Sequence, residues 1–146
     1  MNRLCFPLLL MLLLSPVRGQ DPVSHQKRAA AALRYELVQM GNDCNQAKNT
    51  VEINSCLSAV AKKTQDNFHA FYESLRSLLS LRPEAVRRID SSQDLWEKYS
   101  NSACDAIDTF YRDGSIRVSA VIGCHIQLTR SRMQDLDALY NTTLHH

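Results

Sequence analysis

The chain has 146 residues, 17 basic and 15 acidic side chains, a formal charge of +2, and only four glycines and four prolines. That length suits one domain, and the near balance of charge removes the electrostatic footprint expected of a nucleic-acid binder. Scarce glycine and proline, with almost no strand-type alternation, point to a helical protein with few breaks.

The N-terminus reads as a secretory leader. Met1-Asn2-Arg3 is a basic start and Leu4 to Leu14 is almost wholly apolar. Ser15-Pro16-Val17-Arg18-Gly19 supplies a breaker, with small residues at Val17 and Gly19, which predicts a cut after Gly19. The apolar run of 11 residues would span about 17 Å as a helix, too short for a bilayer core of about 30 Å. Gln20 follows the cut and Cys5 lies too early, so a bacterial-type lipid anchor is not expected. The expected mature chain, Gln20 to His146, has 127 residues and, without Arg3 and Arg18, 15 basic and 15 acidic side chains. No membrane span is expected in it.

A first helix is predicted from Ser24, as its N-cap, to Met40, stopped by Gly41-Asn42, with a thin apolar face of Leu33, Leu37 and Met40. The second is the strongest. Ile53, Leu57, Val60, Phe68, Phe71, Leu75 and Leu78, with Thr64 in the gap, form one long stripe at helical spacing. Asn49 and Glu52 resemble a capping box at its start, and Leu81-Arg82-Pro83 ends it. Pro83 to Asp90 is expected as a short helical turn, with Ser91 or Ser92 capping a third helix whose core face is Trp96, Tyr99, Ala103, Ile107 and Phe110. Asp113-Gly114-Ser115 stops it, and Ser115 is placed as the cap of a fourth helix carrying Val121, Cys124, Leu128, Leu136 and Leu139 or Tyr140. Residues 141–146 read as a frayed polar tail.

Beyond the leader there are four cysteines, Cys44, Cys56, Cys104 and Cys124. An even count in a small exported domain reads as two disulfides, and the spacings do not resemble the close pairs of a zinc site. Cys104 and Cys124 lie equidistant from Gly114. One continuous helix would hold them about 30 Å apart, whereas a disulfide needs Cα atoms within about 4.4–6.8 Å. Two antiparallel helices hinged at Gly114 bring them together, giving a clamped helical hairpin stabilised by about 3 kcal/mol on the loop-entropy account. Cys44 then pairs with Cys56 by elimination, although four cysteines allow three connectivities and the hairpin geometry fixes only one.

The expected fold is therefore all-α: a small disulfide-stapled helical bundle with one long helix and a disulfide-clamped hairpin. The expected organisation is a leader at 1–19, an N-terminal helical segment at 20–43, the main helical domain at 44–140 and a tail at 141–146.

No pattern for catalysis stands out. There is no phosphate-binding glycine loop, nucleophile elbow or His-Glu-x-x-His, and the cysteines are committed to bridges. His25, His69 and His125 are isolated, so an enzyme, a cofactor and a metal site are not expected. Charge is more informative. Asp90, Asp94, Glu97, Asp105, Asp108 and Asp113 face only Lys98 and Arg112 between Asp90 and Asp113. This is either an ordinary solvated helix face or an acidic patch that steers a basic partner. Asp105 and Asp108 share a helix face, and Asp113 stands at the hairpin tip. Asn141-Thr142-Thr143 is a glycosylation acceptor, meaningful only in a secreted eukaryotic setting.

The order of residues resembles the LprI-like lysozyme-inhibitor family. It is carried by Cys44-x2-Ala47-x4-Glu52-x3-Cys56, Trp96-x2-Tyr99-x4-Cys104, Gly114-Ser115, Cys124, and Thr129-Arg130-Ser131-Arg132 ahead of Leu136. Ser100-Asn101 stands where the family often has an Arg-Asp pair, and no lipid-attachment cysteine follows the cut. The resemblance implies a periplasmic or secreted helical domain and inhibition of a peptidoglycan-cleaving lysozyme, without implying it for every member. The expected partner is thus a basic lysozyme-type enzyme; the acidic charge and the rigid turn, rather than the resemblance, point to Asp105, Asp108, Asp113, Gly114 and Ser115 as its contacts. The alternative is a non-enzymatic cell-envelope interaction module with another envelope protein as partner. Thr129, Arg130 and Arg132 are expected to be structural, Arg130 or Arg132 pairing with acids of the third helix.

Overall fold

The computed structural model describes residues 21–146, so the predicted leader and its cut lie outside the described residues. The described chain forms α1 (Pro22–Gln39), α2 (Thr50–Leu78), α3 (Pro83–Phe110), α4 (Arg117–Leu139) and α5 (Asn141–His145), with no strand among the described residues. The all-α expectation holds.

Local chemistry accounts for most of the helix ends. Asp21, not Ser24, caps α1. Its carboxylate accepts the Ser24 N–H at 3.0 Å, with Pro22 in the first turn, where a missing N–H costs nothing. Gly41, at φ 82°, takes the left-handed conformation that ends α1, and Cys44 also sits at positive φ, 60°. Asn49 caps α2 as expected, accepting the Glu52 N–H at 3.0 Å, while the Glu52 carboxylate reaches back to the Lys48 N–H at 2.8 Å.

Two boundaries differ from expectation. α3 begins at Pro83 and runs unbroken through Ser91 and Ser92, because nothing from Glu84 to Asp90 interrupts it and Arg88 bonds Glu84 one turn away at 2.8 Å. Ser115 caps nothing. α4 starts after Ile116, with no side-chain cap. The C-terminal residues are not frayed: Leu144 of α5 is buried in the core, and Gln26 donates to the Thr143 carbonyl at 3.1 Å.

Packing follows a simple order. α2 lies against both α1 and α4, α3 lies against α4, and α2 meets α3 mainly through side chains, as in the Phe68–Trp96 stack and the Arg76–Asp90 pair. Phe68, Phe71 and Leu75 of α2 meet Ala29, Ala32 and Leu33 of α1 and Met133 and Leu136 of α4 in one core. The α2 stripe is buried from Thr64 to Leu75 and half-buried before it and at Leu78. Small alanines let α1 approach closely, which leaves Leu37 and Met40 exposed rather than packed. The buried face of α3 is Ile89, Gln93, Ser100 and Cys104, with Trp96 half-buried between. Tyr99 and Phe110 point outward, contrary to the expected aromatic face.

Both disulfides form as expected. Cys104 and Cys124 have Cα atoms 5.7 Å apart and Cys44 and Cys56 5.8 Å apart. The first clamps α3 to α4. The second ties the 40–49 connection to the start of α2. Replacing Cys104 and Cys124 together by serine should remove about 3 kcal/mol of stability at unchanged helicity. Urea denaturation read by circular dichroism tests this, and an unchanged midpoint would mean that packing on α4 alone holds the hairpin.

Candidate partner-binding site at the hairpin tip

Residues 111–116 turn the chain between α3 and α4. The Gly114 N–H donates to the Tyr111 carbonyl at 2.9 Å and the Arg117 N–H to the Gly114 carbonyl at 3.2 Å. Gly114 is not needed for its conformational freedom: it lies outside the left-handed region, and a Cβ there would meet only the Tyr111 carbonyl at 3.4 Å. The turn is instead braced by an ion pair across it. Arg117 donates from Nε and Nη2 to the two carboxylate oxygens of Asp108, each at 2.6 Å. Those bonds, together with the guanidinium charge, hold the Asp108 carboxyl below the usual aspartate range, and the same pair raises Arg117.

The five predicted tip residues therefore divide. Asp105, Asp113, Gly114 and Ser115 are exposed, whereas Asp108 is half-buried and engaged by Arg117. The acidic stretch is divided as well. Asp90 accepts from Arg76 at 2.8 and 3.0 Å and from the Tyr72 hydroxyl at 3.0 Å. Burial and that bond push the Tyr72 phenol well above its ordinary range. Two of the six acids thus meet arginines from outside the stretch, a pairing that local charge counting does not reveal.

The sequence reading missed the apolar part of the tip. Phe110 is 79% exposed, and Ile116 and Val118 are each about half exposed. Tyr111 packs edge-on against Phe110, ring centroids 4.8 Å apart. Two aromatic residues beside a turn were the available signal, but the expectation of a core face concealed it.

What holds the hairpin in place lies deeper. Arg130 does not pair with α3. Its Nε donates to Glu36 Oε2 at 2.8 Å, and its terminal nitrogens bind the Asp43 carboxylate, one of them at 3.1 Å. Glu36, 1% exposed, also accepts from the Thr64 hydroxyl at 2.8 Å and the Asn67 amide at 2.5 Å. Burial alone would lower the Arg130 pKa, but its bonds to Asp43 and Glu36 outweigh that and raise it. Arg132 does reach α3, but through neutral groups: Gln93 Oε1 at 3.2 Å and Ser92 Oγ at 3.0 Å, with its guanidinium 6.0 Å from the Trp96 ring centre.

These features define a small disulfide-stapled helical bundle that presents a braced, partly apolar hairpin. Residues 42–136 match the model of the lysozyme inhibitor LprI family, and the chain belongs to that family. No curated protein and no solved structure matches it. Among the described residues no helix is long and apolar enough to cross a membrane, and no cluster of three or more histidine, cysteine or acidic residues is arranged to hold a metal ion.

Two outcomes are expected. Arg130→Met strands the buried Glu36 carboxylate and should cost about 3–5 kcal/mol by chemical denaturation, with part restored by adding Glu36→Gln. Asp108 should titrate below the ordinary aspartate range by carboxyl NMR, and Arg117→Gln should bring it back up. Because its folded pKa is depressed, the contribution of Asp108 to stability is present above the unfolded value and is lost as pH falls through the folded value.

Proposed function

We propose that this protein is exported, with residues 1–19 removed as a leader, and that it inhibits a lysozyme-type enzyme by presenting the α3–α4 hairpin tip to it. Family membership supports the inhibitor reading, and two disulfides suit an oxidising compartment outside the cytoplasm. The observation that carries the tip assignment is Phe110, a large aromatic residue 79% exposed two turns from a disulfide clamp. An aromatic residue on a rigid element contributes large contact area at little entropic cost.

The roles follow from geometry. Phe110, with Ile116 and Val118, anchors the contact. Asp105 and Asp113, exposed on either side, steer a basic partner. Asp108 holds Arg117 and keeps the turn in shape instead of touching the partner. Gly114 and Ser115 form the leading edge. Common lysozymes are strongly basic and work through two carboxylates in a cleft, so a narrow turn entering that cleft would obstruct it.

The test is a cell-wall lysis assay with a panel of lysozymes and the oxidised protein. Saturable inhibition is expected, weakened at least tenfold by Phe110→Asp. Asp105→Lys with Asp113→Lys should slow association at low salt and much less at high salt. Inhibition that ignores these variants would move the contact away from the tip. Failure of the folded, oxidised protein to inhibit any lysozyme would favour a non-enzymatic envelope interaction module.

A further inference from the structure

α1 carries apolar residues on two faces, and the bundle covers one of them. Ala29, Ala32, Leu33 and Glu36 are buried, whereas Lys27, Ala31, Arg34, Tyr35 and Val38, spaced along the opposite side of the helix, are exposed. Val38 is 63% exposed and Tyr35 43%. A groove of about 520 Å³ runs along this outer side, where the short side chains of Ala30 and Ala31 leave room between Lys27, Arg34, Tyr35 and Val38. A helix with an apolar stripe on its outer side as well as its inner one has a second face to cover.

Charge selects the occupant. Lys27, Arg28 and Arg34 lie on α1, and the Lys63 ammonium sits 5.2 Å from the centre of the Tyr35 ring. The only acid from Pro22 to Gln39 is Glu36, which is buried. None of these bases makes an ion pair among the described residues. Two such faces do not suit each other, because an antiparallel pairing about the alanines would set Lys27 of one copy against Arg34 of the other. The complementary surface lies elsewhere on the same molecule. The hairpin tip projects Phe110, Ile116 and Val118, and its exposed acids Asp105 and Asp113 outnumber Arg112, since Arg117 is held by Asp108. Phe110 is 79% exposed in its own chain, so it does not fill its own groove and remains available to that of a second copy.

We infer that this protein associates with itself head to tail, the α3–α4 tip of one copy seating Phe110 in the α1 groove of the next. Phe110 packs between Tyr35 and Val38 over the two alanines, and Asp105 and Asp113 approach Lys27 and Arg34. An aromatic anchor in a pocket, ringed by opposite charge, is the arrangement that concentrates binding energy at an interface. Each copy contributes a different surface, so the contact is heterologous. It leaves a free tip at one end and a free groove at the other, and the assembly grows or closes into a ring. The balanced charge of residues 20–146 does not oppose it. The contact stands without the inhibitor reading, although a tip held in this way is closed to any other partner.

Sedimentation velocity of the oxidised protein over a range of concentrations tests this without any lysozyme, so its failure leaves the inhibitor reading untouched. The mean sedimentation coefficient should rise with concentration at low salt and much less at high salt. Phe110→Asp removes the anchor and Ala31→Arg fills the groove, both at exposed positions where folding is not at stake. Each should weaken association by about tenfold or more. Mixed in equal amounts, the two variants should form dimers that grow no further, because one retains an intact groove and the other an intact tip. A mixture that stays monomeric overturns the inference, as does association that either variant leaves unchanged. So does a wild-type protein that is monomeric at every concentration, and binding of that monomer to vesicles containing phosphatidylglycerol would give the α1 face to a membrane surface instead.

Discussion

The buried Glu36–Arg130 pair is the contact on which the arrangement of helices depends. A carboxylate on the alanine-rich face of α1 meets a guanidinium from α4 where both are almost wholly removed from water. Desolvating two charges consumes most of their attraction, so the pair is a poor source of net stability. Its effect is on placement. Glu36 takes one bond each from Thr64, Asn67 and Arg130, which come from two other helices, and a shift of α1 along α2 or α4 would strand a buried charge. Apolar packing among Ala29, Phe71 and Met133 tolerates small slips far better.

From that point the rest of the molecule is tied in sequence. Arg130 also binds Asp43, which fixes the 40–49 connection next to the Cys44–Cys56 bridge. Two residues on, Arg132 turns to the opposite side of α4 and binds Gln93 and Ser92 of α3. Neighbouring arginines thus hold α4 between two layers, and the Cys104–Cys124 bridge fixes the far end of α3 to it. The core is modest for a chain of this size, and cross-links of this kind supplement it.

Such bracing frees the surface. The hairpin tip can expose Phe110, Ile116 and Val118 because the disulfide and the Asp108–Arg117 pair keep the turn ordered without burying them. A cleft between α2 and α3 persists for a related reason. Phe68 and Trp96 stack across it at 5.9 Å and, with Arg76 and Asp90, bridge the two helices mainly through side chains. The two surfaces differ in chemistry, one apolar with acidic flanks and the other mostly polar, with Glu97 as its one carboxylate.

The sequence by itself determined the helical class, the long α2 with its Asn49–Glu52 cap, and the clamped hairpin. Each rests on information local along the chain: the period of apolar residues, a three-residue capping spacing, and two cysteines equidistant from a turn. It also carried the family resemblance across most of the region that matches. It misplaced the face of α3, because ranking residues by hydrophobicity favours Tyr99 and Phe110 over Gln93 and Ser100, while Gln93 is buried where it meets Arg132 of α4. It left Glu36 unremarked and offered an acid of α3 to Arg130 or Arg132, whereas Arg130 pairs with Glu36 and Arg132 meets only neutral groups of α3, since a partner 94 positions away leaves no trace in spacing. It likewise counted Asp90 and Asp108 as free acids, although Arg76 and Arg117 meet them only once the helices are side by side. Periodicity specifies which elements form. Which polar groups lose their water, and so must find one another, is decided only when those elements pack.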